Sequence, residues 1–115
     1  MRKRLVKYLT DLVKIPSVIG SEKEIADFIH NFSMEFYPEE QTVRHNNSLM
    51  VFDFPDRDKK TVALVGHLDT VPGENQFTGQ IIDGKLYGLG ASDMKVWSCC
   101  YDGIDGVFFK SREEI

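Results

Sequence analysis

The chain has 115 residues, enough for one domain with a modest core. Its 42% hydrophobic and 28% charged residues are ordinary for a globular protein, and its net charge of −4 with scattered basic side chains offers nothing to the phosphates of nucleic acid. No apolar run is long enough to span a membrane, and Lys7, Thr10, Asp11 and Lys14 interrupt the stretch that a signal peptide would need after Arg2-Lys3-Arg4, so a cytoplasmic protein with no membrane or nucleic-acid partner is expected.

Leu5, Val6, Leu9, Leu12 and Val13 recur at helical spacing and predict an amphipathic helix over residues 3–14. Ile15-Pro16 ends it, because a residue before proline avoids helical geometry. Ser21 and Glu24 have capping-box spacing. Ile25, Phe28, Ile29, Phe32 and Phe36 then form one apolar stripe, which predicts a second helix over 22–36 with its aromatics in the core.

Strands follow. Gln41 to His45 alternates weakly, Asn46-Asn47-Ser48 is turn chemistry, and Leu49 to Phe54 reads as a second strand. Thr61 to Val65 is short, apolar and β-branched, as a central buried strand should be. Gln80-Ile81-Ile82 and Lys85-Leu86-Tyr87, joined by Asp83-Gly84, predict a small hairpin. Two helices followed by a mixed sheet make an α/β layer. Cys99 and Cys100 are adjacent, which suits neither a disulfide between them nor a zinc knuckle, so both are expected to be reduced thiols.

Two segments carry chemistry. Gly66-His67-Leu68-Asp69-Thr70-Val71-Pro72 follows the apolar strand, and active sites of α/β sheets sit just past the carboxyl ends of strands. Residues i and i+2 of an extended chain point to the same side, so the Asp69 carboxylate can reach the His67 ring. That is the support a metal-bound imidazole takes. Gly88-Leu89-Gly90-Ala91-Ser92-Asp93-Met94-Lys95 puts a further carboxylate in a Gly-rich turn where a helix should begin, within reach of the same point. A histidine near a strand end is more often simply hydrogen-bonded, so spacing alone leaves both readings open. His30 and His45 have no carboxylate in a telling position and are assigned structural roles.

These segments, with Leu12-Val13-Lys14-Ile15-Pro16-Ser17 before them, resemble the di-zinc exopeptidase and amidohydrolase family. That family includes succinyl-diaminopimelate desuccinylase, acetylornithine deacetylase, aminoacylases and glutamate-type carboxypeptidases. The likeness covers about residues 5–95 and implies the N-terminal part of a zinc-exopeptidase-like catalytic domain. It implies that His67 binds one zinc, that Asp93 bridges two, and that Asp69 orients His67 as part of the catalytic machinery. Cobalt or manganese are the implied substitutes, and a small N-acylated amino acid or peptide is the implied substrate. The short stretch between Pro72 and Asp83 favours the desuccinylase and deacetylase branch, with a carboxypeptidase or dipeptidase as the alternative.

The family's catalytic glutamate pair, further carboxylate ligand and final histidine lie well downstream of Asp93, so a truncated chain, inactive by itself, is expected. After Lys95 the likeness stops: the family continues with two glycines and a long apolar helix, whereas Val96 to Gly103 has no helical period. Read one base later, the codon of Trp97 yields glycine, and one allowed solution continues Ala-Val-Ala-Met-Met-Ala-Leu-Met-Glu-Tyr-Phe, the family helix. Residues 1–95 are therefore expected to be the metallohydrolase portion and 96–115 a frameshifted tail, with Glu113-Glu114 only imitating the glutamate pair. A non-catalytic remnant or binding module is the competing class.

Overall fold

The computed structural model describes residues 2–52, 54, 56, 58–96 and the strand at 107–110. Cys99, Cys100, Glu113 and Glu114 lie outside the described residues.

The apolar face of helix α1 (Arg2–Lys14) meets that of helix α2 (Lys23–Ser33). Leu12, Val13, Ile25 and Ala26 are fully buried, and Tyr8, Ile29, Leu49 and Leu68 join most of them in one core. Each large aliphatic side chain buried there contributes about 1.5–3 kcal/mol relative to exposure. Tyr8 stacks on Phe32 with ring centroids 3.9 Å apart and on Phe28 at 5.7 Å, so these two rings pack against the core while staying partly exposed; Phe36, expected in the core as well, lies past the end of α2 and is 42% exposed.

Helix α2 is shorter than its pattern. Its N-cap is Glu22, with no side-chain cap, so the Ser21–Glu24 box does not form. Glu22 is instead fully buried. At the other end the Ser33 hydroxyl donates to the Ile29 carbonyl at 2.8 Å, a back-bond that weakens a helix interior. Residues 34–37 close in turns, with Tyr37 N–H donating to Ser33 O at 2.9 Å, while Phe36 keeps its ring 5.1 Å from Phe32.

A short 3-10 turn (Glu39–Gln41) leads into β1 (Thr42–His45), which pairs antiparallel with β2 (Ser48–Val51) across Asn46-Asn47. Asn46 takes φ 51°, a left-handed conformation that asparagine tolerates. Arg44 of β1 ion-pairs with Asp27 of α2, and the Lys23 ammonium together with the Arg44 guanidinium holds the Asp27 carboxyl below its usual range. Strand β3 (Leu64–His67), the separate hairpin β4 (Gln80–Ile82) and β5 (Lys85–Tyr87), and β6 (Val107–Lys110) complete the elements. The main sheet runs β1-β2-β6-β3, with β6 antiparallel to β2 and parallel to β3. This is the mixed sheet expected, in an α/β arrangement.

Three expectations shift. Strand β2 stops at Val51, short of Phe54. The strand expected at 61–65 forms at 64–67, on the sheet edge rather than in its centre, with Val62 70% and Val65 59% exposed. The cause is one-sided cover: Leu49 faces the helix core, whereas Val43, Met50 and Val65 lie in one register row and are exposed. Finally, β6 falls in the stretch assigned no element. Val107-Phe108-Phe109 are strong strand formers, and the facing edges of β2 and β3 supply partners for them. Among the described residues no helix is long and apolar enough to cross a membrane.

Candidate metal centre

His67 is the last residue of β3, and the alternation of extended chain carries Asp69 to the same side. Nδ1 of His67 lies 3.2 Å from Oδ1 of Asp69 and 3.1 Å from the Asp69 carbonyl oxygen. The hydrogen bond at Nδ1 is to the Asp69 carbonyl oxygen, with the carboxylate alongside it; a carbonyl can only accept, which favours the tautomer with the proton on Nδ1 and the lone pair of Nε2 facing outward. Nε2 in turn lies 3.1 Å from Oδ1 of Asp93. The two acids differ in exposure: the Asp69 side chain is 2% exposed and that of Asp93 85%. One carboxylate backs the ring from the interior, and the other meets it from the solvent side.

Both loops that bring these groups together hang on the segment after α1. In the first, Thr70 N–H donates to Ser17 O at 2.7 Å and Ile19 N–H donates to Thr70 O at 3.3 Å. In the second, Gly88 takes φ 151° and lies so close to α1 that a Cβ there would fall 2.2 Å from Cγ1 of Val13. Leu89 N–H donates to Gln76 O at 2.7 Å, and Lys95 N–H closes the turn onto Gly90 O at 2.8 Å. Gly90, at φ 81°, admits the stem of Lys95, whose Cδ would stand 2.8 Å from any Cβ. The Asp93–Met94 peptide is cis, and the Met94 sulfur accepts the His67 N–H at 3.4 Å.

Lys95 is 1% exposed. Its Nζ donates to the Ile15 carbonyl at 2.6 Å and lies 5.3 Å from the centroid of the Phe77 ring. Burial pushes its ammonium from 10.5 down to about 8.

A cavity of about 240 Å³ opens over His67, Asp69, Thr70, Leu89, Ser92 and Asp93. A larger hollow of about 590 Å³ between α1 and α2 is lined by Tyr8, Phe28, Phe32 and Phe36 with Arg4 and the Lys7–Asp11 pair, and holds neither histidine nor cysteine. Chemistry, not size, assigns the site to the smaller one. His30 and His45 do not line it.

An imidazole nitrogen and a carboxylate oxygen 3.1 Å apart are donors of the kind that zinc, cobalt and manganese accept, and a carboxylate at Nδ1 is the usual support of a ligating histidine. The donor set fits a metal in kind. In number it is incomplete: among the described residues no three His, Cys, Asp or Glu side chains converge as a metal set. The structure thus brings His67, Asp69 and Asp93 together as the spacing predicts. Sequence reasoning gave no role to Lys95 or to the Ile15–Ile19 segment; the available signal was a lysine set between the apolar Met94 and Val96 in a Gly-rich turn.

A strand-end histidine backed by a buried acid and met by a second acid from a glycine-rich loop, on an α/β frame, is an arrangement compatible with the metallohydrolase class. Residues 63–100 match peptidase family M20/M25/M40, and the chain resembles members of that family over most of its length. It is 38% identical over 85 residues to the succinyl-diaminopimelate desuccinylase of Corynebacterium glutamicum, a match covering 73% of this chain and 23% of that protein. It is 35% identical over 98 residues to a probable carboxypeptidase of Emericella nidulans, covering 74% of this chain and 22% of the other. The fold superposes on an M20 family metallo-carboxypeptidase from Sulfolobus solfataricus with TM-score 0.69 and 18% identity, over 96% of this chain and 31% of that one. The chain spans less than a quarter of the length of these two curated relatives.

Proposed function

We propose that this chain carries the His67–Asp69–Asp93 portion of a metal-dependent amidohydrolase that cleaves an N-acyl amino acid of the N-succinyl-diaminopimelate or N-acetylornithine kind. The observation that carries the proposal is the 3.1 Å approach of Asp93 Oδ1 to His67 Nε2 at a strand end, with Asp69 buried behind the ring. His67 and Asp93 would hold the metal, zinc in the first instance. When bound, the metal supplies Lewis acidity toward an amide carbonyl. Asp69 retains the proton at Nδ1, so that Nε2 presents its lone pair outward. The similarity to a desuccinylase supports the acyl amino acid, whereas the similarity to a probable carboxypeptidase favours a second reading, a C-terminal peptide bond.

By itself the chain is proposed to have no turnover. Catalytic zinc takes three protein ligands, and two donors converge among the described residues. Both site carboxylates already face His67, which leaves neither placed as a general base. The test is to titrate the folded chain with zinc and then assay it on N-succinyl-diaminopimelate and N-acetylornithine. The expected result is measurable zinc binding that requires His67, with hydrolysis no faster than in buffer. A folded chain that binds no zinc would sink the reading, and clear turnover would sink its second half. The tail from residue 96 is proposed to come from a shifted frame, and the codons beyond Lys95 decide this by encoding, or not encoding, the apolar helix one base later.

A further inference from the structure

We infer that Lys95 is a positioning residue for the metal-holding pair: its hydrogen bond to the Ile15 carbonyl pins the 88–95 turn to the segment after α1 and so holds Asp93 against His67. The consequence for metal rests on the reading above, but the geometry stands without it.

A lysine is rarely fully buried unless it is paired, and a carboxylate is its usual partner. Lys95 has no ion pair among the described residues; its Nζ reaches a backbone carbonyl 80 residues away and the face of Phe77. A solvent-facing lysine would avoid that desolvation, so what the buried one achieves must be sought in what it ties together. The Ile15–Ile19 segment is the common post. It holds the His67–Asp69 loop through Ser17 and Ile19, which bond Thr70, and it holds the Asp93 loop through Ile15, which bonds Lys95. The spacing of the two loops is therefore set by two attachments a few residues apart on one strip of chain. The bare backbone of Gly90 lets the lysine stem pass, and the Lys95 N–H bond to Gly90 O closes the turn that presents Asp93. The Met94 sulfur on the His67 N–H, 3.4 Å away, reports that spacing directly.

The stem alone could be apolar filling, and methionine would fill the same space. Lys95→Met separates the two roles. With methyl-labelled methionine, the cross-peak between the His67 amide proton and the Met94 methyl group measures the loop spacing without metal, and cobalt(II) titration measures its consequence. The expected result is a dispersed spectrum in which that cross-peak falls at least fivefold and cobalt affinity at least tenfold. Leu12→Ala, which weakens the core that Leu68 shares but replaces no residue of either loop and none of their hydrogen bonds to the Ile15–Ile19 segment, should keep both. An unchanged cross-peak in Lys95→Met, or its absence in the wild type, would overturn the inference. So would collapse of the whole Lys95→Met spectrum under conditions where Leu12→Ala stays dispersed, which would make the role one of global stability. A wild type that shows the cross-peak, loses it in Lys95→Met, yet binds no cobalt would uphold the positioning role while defeating the metal reading.

Discussion

Nε2 of His67 and Oδ1 of Asp93 stand 3.1 Å apart although 26 residues of chain separate them. The approach is not made by packing of the two side chains themselves, since Asp93 is largely exposed. It is made by the backbone on either side: β3 delivers the histidine, and a turn wedged against Val13 and Ile15 delivers the acid. A pair held this way can bind a ligand between its members without unfolding anything.

Removing either donor should therefore abolish metal binding while sparing the fold. His67→Ala and Asp93→Asn are expected to lower zinc affinity by about a hundredfold or more, since even a ligand's outer partners carry about 10- to 100-fold. Unfolding midpoints in urea should move little for Asp93→Asn, as exposed substitutions usually stay within about 0.5 kcal/mol. Isothermal titration calorimetry checks the first expectation and denaturation the second; a variant that binds zinc like the wild type would remove that residue from the site.

Asp69 acts on the metal only through the ring. Asp69→Asn keeps its shape but presents a neutral amide to Nδ1, so the preference for a proton there weakens. Zinc affinity should fall by about 10- to 100-fold with the fold intact. Nitrogen chemical shifts of the His67 ring give the independent readout: Nδ1-protonated in the wild type and a mixture of tautomers in the variant. Equal tautomer populations in the two proteins would show that Asp69 is only a buried neighbour.

Much of this was legible in the residues, and the parts that were not share a cause. Helical periodicity of 3.6 in Leu5 to Leu12 and Ile25 to Phe32 marks both helices because one face of each is turned to the core. The i, i+2 relation of His67 and Asp69 survives folding because it depends on extended backbone alone. What local pattern does not contain is which face of the sheet is covered. Val62 and Val65 have the composition of a central strand, yet Val62 lies outside the strand and Val65 on an exposed edge. The anchoring by Lys95 is likewise invisible from its neighbours, because its acceptor lies 80 residues away and is a backbone carbonyl with no sequence signature. The Ser21–Glu24 pattern failed for the opposite reason: a local capping signal was overridden when tertiary packing buried Glu22.

Burial of Lys95 ties stability to pH in an unusual direction. Its folded value of about 8 lies below the ordinary 10.5, so between those values the unfolded chain binds the extra proton and the folded chain releases it. Stability contributed by this group is therefore lowest below pH 8 and rises as pH increases toward 10.5. The full swing is on the order of 3 kcal/mol at about 1.4 kcal/mol per unit. Other lysines and tyrosines titrate in the same window, so the measurement is a difference: urea unfolding of the wild type minus Lys95→Met, at pH 7 and at pH 10. The wild type should gain on the variant as pH rises; a flat or falling difference would contradict a desolvated ammonium.

Core and loop substitutions should rank in opposite orders for stability and for metal. Leu12 is fully buried among Tyr8, Ile25 and Ile29, and Leu12→Ala should cost about 2–5 kcal/mol through lost contact and the cavity left behind. Gly88→Ala should cost less, about 1–3 kcal/mol, because overpacking can be relieved by moving the loop away from Val13. That same relief carries Asp93 away from His67. Zinc affinity in the folded protein should thus be unchanged in Leu12→Ala and reduced at least tenfold in Gly88→Ala, although Leu12→Ala is the less stable of the two. Calorimetric zinc titration at a temperature where both variants remain folded tests the crossing. If metal affinity instead tracks stability across the pair, the site is sensing global packing, and the seating of Gly88 on Val13 has no special part in aligning its ligands.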